Sequence, residues 1–221
     1  MSPFDLRVFV LINGVMACLM AGVLYAQARS YPPSIRGLRS WALAQLCAFF
    51  STVLAGLQGM APPWMGMGLS NTLLVLAGGL LLSGTREHLG RSLSPRFLVW
   101  LVLLLLPVMV ALSGQGPTLY LYRLLAVNVL LALLFGAHAW LLWRHAPATF
   151  GGRFMLVVLL GLTAAMAMRG LTAAYATPPT GVFAPSPLQA AYLASFSLGL
   201  LLMAIGGILL ATERLRQELE H

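Results

Sequence analysis

Seven long apolar runs occupy residues 6–27, 40–60, 65–84, 96–113, 119–143, 154–175 and 188–211. Each has the roughly 17–25 mostly apolar residues that a helix needs to cross about 30 Å of hydrocarbon. With 60% apolar and only 8% charged residues among 221, the chain has too little polar surface to face water on its outside. The connections are short and no polar stretch is long enough for a second unit. The sequence therefore predicts an all-α integral membrane protein, with seven transmembrane helices forming one domain over residues 1–211.

Arginine placement predicts how that bundle sits. The gap at 28–39 carries Arg29, Arg36 and Arg39; that at 85–96 carries Arg86, Arg91 and Arg96; that at 144–153 carries Arg144 and Arg153. Arg214 and Arg216 follow the last run, whereas the gaps at 61–64, 114–118 and 176–187 hold no charge. Basic loops stay in the cytoplasm, so the N-terminus is expected outside and the C-terminus inside.

Composition excludes several classes. All 13 basic residues are arginine, and without a lysine amine there is no Schiff base, so a retinal photoreceptor is ruled out. The net charge of +8 is spread over helix ends with no aromatic-interleaved stripe, which argues against a nucleic-acid partner. Cys18 and Cys47 fall inside runs and read as small buried hydrophobes. Met-Ser-Pro-Phe-Asp at the start lacks a basic region and a cleavage site, so the first run is expected to be a retained span. Trp41, Trp64, Trp100, Trp140 and Trp143 near run ends read as interface anchors. Pro107 marks a kink in the fourth run.

Displacing the chain by about 115 residues brings runs one to three onto runs five to seven. Arg7, Asn13, Gly22, Arg29, Pro33, Gly37 and Arg39 meet Arg123, Asn128, Gly136, Arg144, Pro147, Gly152 and Arg153, with one-residue slips. Gln58-Gly59 meets Arg169-Gly170, Pro62-Pro63 meets Pro178-Pro179, and Gly78-Gly79 meets Gly206-Gly207. The expected layout is three-plus-one-plus-three, with a pseudo-twofold axis along the membrane normal. Chance likeness between leucine-rich helices is the competing explanation.

Polar side chains inside apolar runs are costly and turn toward a bundle interior or a cavity. Arg123, Arg169, Asn13, Gln58, Asn71 and Asn128 are the candidate ligand-binding residues. Every carboxylate lies at or beyond a membrane face, so the two arginines lack an acidic partner at their depth, Asp5 being nearest to Arg123. A buried guanidinium needs an acceptor, and a small amphiphilic or anionic ligand would supply one. Snorkelling to the outer headgroups, and plain interhelical hydrogen bonds for the amides, are the alternatives. His138 reads as a packed histidine or a pH switch. No Ser/His/Asp set, phosphate loop, paired carboxylates, zinc set or haem ligand pair is present, so neither catalysis nor a cofactor is expected of this segment.

The last run leads into Ala-Thr-Glu-Arg-Leu-Arg-Gln-Glu-Leu-Glu-His, with Leu215 and Leu219 four apart among charges. Residues 212–221 read as the start of a cytoplasmic signalling helix cut short, Leu219-Glu220-His221 matching the remnant of a polyhistidine tag. A natural short charged tail is the alternative. Gly37-Leu-Arg39-Ser-Trp41, Pro62-Pro63-Trp64 with Ser70-Asn71, and Leu81-x-x-Gly84-x-Arg86-x-x-Leu89-Gly90-Arg91 resemble the multi-helix N-terminal region of proteobacterial diguanylate cyclase (GGDEF) and histidine kinase proteins, mainly over residues 37–91. The resemblance implies a membrane sensor that signals through its last helix to an output domain, as a homodimer joined by that helix. It carries over no ligand-binding residue, and the chain has no GGDEF segment. A small three-plus-one-plus-three transporter is the other expectation.

Overall fold

A computed structural model describes residues 6–91, 94–114, 116–175 and 187–220, with the side chains of 6–9 left aside. Asp5, Pro178-Pro179 and His221 lie outside the described residues, as does the side chain of Arg7. The architecture is all-helical: α1 (Leu6–Ser30), α2 (Leu38–Gly56), a π-helical segment (Trp64–Leu69) running directly into α3 (Ser70–His88), α4 (Pro95–Ala111), α5 (Pro117–His145), α6 (Phe150–Tyr175) and α7 (Pro187–Leu219). Six of these rods, counting the π segment with α3, are long and apolar enough to cross a membrane; α4, with 17 residues, is shorter. Large apolar side chains such as Leu11, Leu19, Leu104, Leu133 and Val157 point outward. Only hydrocarbon can cover that much outward-facing apolar surface, which makes this a multi-pass membrane protein.

Six helices close a ring in the order α1, α2, α3, α5, α6, α7 and back to α1, while α4 packs outside it against α3 and the π segment. The N-terminal ends of α1, α3, α5 and α7 meet the C-terminal ends of α2 and α6 around one cavity. α3 and α5 are therefore parallel neighbours, as are α7 and α1, and α4 reverses the chain between the two triplets.

Helix boundaries have local causes. Pro95 and Pro117 open α4 and α5 at positions where a missing N–H costs nothing. Gly37 precedes α2 with φ of 97°, and a Cβ there would overlap the carbonyl of Gly84, so only glycine fits both demands. α2 stops at Gly56, not at residue 60 as the hydropathy suggested, because the chain turns through Leu57–Ala61 with Gly59 at φ of 90°. Gln58 is thus in a turn and not in a span. Pro62 and Pro63, which have no N–H to donate, precede the wider π turns.

The core differs from expectation at Trp41. It is 1% exposed, not an interface anchor. Its indole donates to the Leu81 carbonyl at 3.2 Å and to Thr85 Oγ1 at 3.3 Å. The ring fits because Gly84 and Gly207 bring two other helices close: a Cβ on either would come within 2.5 Å and 2.9 Å of it. Trp64, Trp100, Trp140 and Trp143 do face outward. Cys18 also lies on the outer surface and not in the core, and Cys47 is half-buried; both are free thiols. Thr85 Oγ1 and His138 Nε2 stand 2.6 Å apart, and His138 is completely buried. The glycine pairs are all close-packing positions, though with different neighbours. Gly78 faces α5 and Gly79 faces α4, whereas Gly206 faces α6 and Gly207 faces Trp41.

Candidate functional site

Asn13, Gln58, Asn71, Arg123, Asn128 and Arg169 all line one cavity of about 140 Å³. They come from α1, the α2 turn, α3, α5 and α6, and reach it because it sits at the end of the ring opposite the arginine-bearing connections. Neither arginine extends outward past the bundle. Arg123 is 4% exposed; its Nη1 donates to the Leu112 carbonyl at 2.8 Å, at the C-terminal end of α4. A cation there meets unpaired carbonyls and the negative end of the helix dipole. Its Cζ also lies 5.4 Å from the centroid of the Tyr120 ring. Arg169 donates from Nη2 to Gln189 Oε1 at 3.3 Å, with its Cζ 5.7 Å from the centre of the Tyr192 ring.

The polar wall is braced from below. Ser51 Oγ donates to the Ser70 carbonyl at 2.8 Å, and Ser70 Oγ donates to the Ser51 carbonyl at 2.9 Å. This reciprocal pair pins α2 to the first turn of α3. Gln58 Nε2 donates to the Gly66 carbonyl at 3.1 Å, which ties the turn to the π segment. Asn128 Nδ2 donates to the Leu124 carbonyl of its own helix at 2.7 Å. Asn71 makes no hydrogen bond among the described residues. Tyr120 Oη and Arg169 Nε are buried without a hydrogen bond of good geometry among the described residues, although the phenol and that guanidinium interact with each other.

Tyr120, Gln189 and the Ser51–Ser70 brace were not singled out from the sequence. Tyr120 precedes Arg123 by three residues and so shares its helix face, a signal that was there to read. Gln189 is the first-turn polar residue of α7 and gave none.

At the opposite end of the ring, α7 is latched. Glu213 Oε1 accepts from the backbone N–H of Gly151 at 2.8 Å, in the first turn of α6. Arg214 donates to the carbonyl of His88, the last residue of α3. Carboxylate to helix start and guanidinium to helix end are the two pairings that the helix dipole favours. Ser34 Oγ donates to Glu218 Oε2 at 2.7 Å, and Tyr31 Oη lies 3.3 Å from Thr212 Oγ1. The α7 helix therefore contacts the cavity through Phe196 and Ser197 and the latch through residues 212–218, without a break between.

Compared with known proteins, the chain matches no family model, no curated protein and no solved structure. Among the described residues no group of three His, Cys, Asp or Glu is placed to hold a metal ion.

Proposed function

We propose that this chain is the membrane-embedded sensory region of a bacterial signalling protein, without catalytic activity of its own. All seven helices cross the inner membrane, with the N-terminus outside and the arginine-rich connections and the C-terminus in the cytoplasm. The cavity then opens toward the outer leaflet and takes a small amphiphilic or anionic ligand. The observation that carries this reading is the convergence on one cavity of Asn13, Asn71, Arg123, Asn128 and Arg169 from four helices, with Gln58 from the turn after α2, since polar groups in lipid cost free energy unless they serve a ligand or one another.

Transmission runs along α7. A ligand that binds one arrangement of the ring better than another shifts the balance between them by that difference in affinity. Because α7 forms part of the cavity wall, the shift bears on Glu213 and Arg214, and beyond them on an output domain joined to the last helix. The likeness to regions preceding diguanylate cyclase domains favours that output, with two copies paired through their last helices.

The ring favours a second reading. Two triplets in parallel, inverted by α4, are the layout expected of a small transporter whose halves rock about a central site. The absence of an intramembrane carboxylate speaks against proton coupling but not against facilitated diffusion.

Nitroxide labels on Arg91→Cys and Glu220→Cys, in a Cys18→Ala/Cys47→Ala background reconstituted in vesicles, separate the two. A sensor changes the distance between the labels when hexanoate is added and shows no saturable hexanoate flux. Saturable flux with an unchanged distance establishes the transporter instead.

A further inference from the structure

The cavity is unbalanced in charge and in hydrogen bonding. Two guanidiniums, Arg123 and Arg169, enter it, and no aspartate or glutamate among the described residues lines it. Each guanidinium has five N–H donors. Arg123 is 2.8 Å from the Leu112 carbonyl and Arg169 is 3.3 Å from the Gln189 amide oxygen, so most of their donors have no acceptor among the described residues. Tyr120 stands next to both guanidiniums and interacts with that of Arg169, yet Arg169 Nε and Tyr120 Oη are buried without a hydrogen bond of good geometry among the described residues. Donors and positive charge are therefore in excess among the described residues, in a medium of low dielectric where like charges repel strongly.

The cavity is also lined by apolar side chains, Leu74, Leu124, Val127, Leu131, Met166 and Phe196. Its volume, about 140 Å³, is close to the roughly 150 Å³ of an apolar cavity that holds benzene. About six non-hydrogen atoms fit inside by that comparison, and because the cavity is partly open a few more can extend into its mouth. A phosphate ester would spend five of those atoms on its head and leave the apolar wall unfilled. A carboxylate spends three, and its two oxygens match the flat fork of a guanidinium.

We infer that the cavity binds a small monocarboxylate of the size of hexanoate or benzoate, with its oxygens held by Arg169, Arg123 and Tyr120 and its tail against α3, α5 and Phe196. This rests on the reading of the cavity as a ligand site and narrows it to one chemical class. The carboxylate neutralises part of the paired positive charge and accepts from the idle Nε and Oη. Asn71, also without a hydrogen bond among the described residues, is available to the same head.

The test is thermal unfolding of the purified full chain in dodecyl maltoside at constant ionic strength, titrated with straight-chain carboxylates from butyrate to decanoate. Hexanamide, hexylammonium and butyl phosphate are run alongside, and the carboxylates are repeated on Arg169→Gln. Stabilisation is expected to be strongest near six carbons, at least tenfold weaker in midpoint concentration for hexanamide, absent for hexylammonium, and at least tenfold weaker on Arg169→Gln. Equal or tighter binding of hexanamide or butyl phosphate overturns the carboxylate assignment and leaves a ligand cavity standing. Stabilisation by none of the compounds removes the ligand cavity itself. A response that climbs steadily to decanoate marks partition into the micelle and also overturns the inference. The wild-type series decides these outcomes even if Arg169→Gln does not fold.

Discussion

Arg123 Nη1 donates to the carbonyl oxygen of Leu112 across 2.8 Å, so one side chain serves both the cavity wall and the end of α4. The helix outside the ring is thereby fastened to the ring at its C-terminus, where Gly68 of the π segment also packs against Val110.

Arg123→Met keeps most of the volume and removes the donor. The Leu112 carbonyl then loses a charge-assisted bond, which costs about 1.5–3 kcal/mol. Thermal unfolding in detergent should show the loss, and protease cleavage near residues 112–116 should accelerate. Wild-type stability with unchanged cleavage would mean that α4 is held by packing alone.

The Ser51–Ser70 brace is expected to behave as a coupled unit. Interhelical hydrogen bonds within membranes average about 0.6 kcal/mol and reach about 1.7 kcal/mol. A double-mutant cycle of Ser51→Ala and Ser70→Ala, read by unfolding, should return a coupling toward the upper end, since two bonds share one contact. Strict additivity of the two single changes would deny the brace.

Gly84→Ala should be among the most damaging of small substitutions. Its Cβ would come 2.5 Å from Trp41 Cδ1 and 2.9 Å from the Gly37 carbonyl, and overpacking of this kind costs about 1–3 kcal/mol. Gly161→Ala on α6 meets nothing within 4 Å and should be neutral or up to about 1 kcal/mol stabilising through helix propensity. Comparing the two melting temperatures checks the packing, and a neutral Gly84→Ala would contradict the buried position of Trp41.

The latch makes a local prediction. Glu213→Ala deprives Gly151 N–H of its acceptor, a loss equivalent to an N-cap of about 0.5–2 kcal/mol. Hydrogen exchange over residues 150–154 should quicken roughly twofold to thirtyfold for that range, and by more than exchange anywhere else in the bundle. Protection spreading evenly downward across the bundle would instead identify Glu213 as a general stability residue.

Much of this arrangement was legible in the residues. Helix positions follow from apolar runs, because lipid forces every backbone polar group into the helix itself. Cavity membership followed from the cost of polar side chains in hydrocarbon, which is why Asn13, Asn71, Asn128, Arg123 and Arg169 were found as a set. What escaped was set by distant partners. Trp41 reads as an anchor because it stands near a helix end, and its burial depends on Gly84 and Gly207, which belong to other helices. The end of α2 escaped because Leu57, Met60 and Ala61 continue the apolar run while Gly59 turns the backbone. Glu213 and Arg214 looked like ordinary interfacial charges, since nothing local says that each faces the terminus of another helix.

If α7 transmits a signal, as proposed above, its unbroken length from Pro187 to Leu219 limits the form of that signal. An α-helix rises about 1.5 Å and turns about 100° per residue, so a screw motion of a single residue would swing Glu213 wholly off Gly151 and Arg214 off His88. A rod engaged at both ends by such narrow contacts has no intermediate settings to offer. Under the proposed sensory function, the contacts of Glu213 with Gly151 and of Arg214 with His88 are the ones that such a motion would make or break.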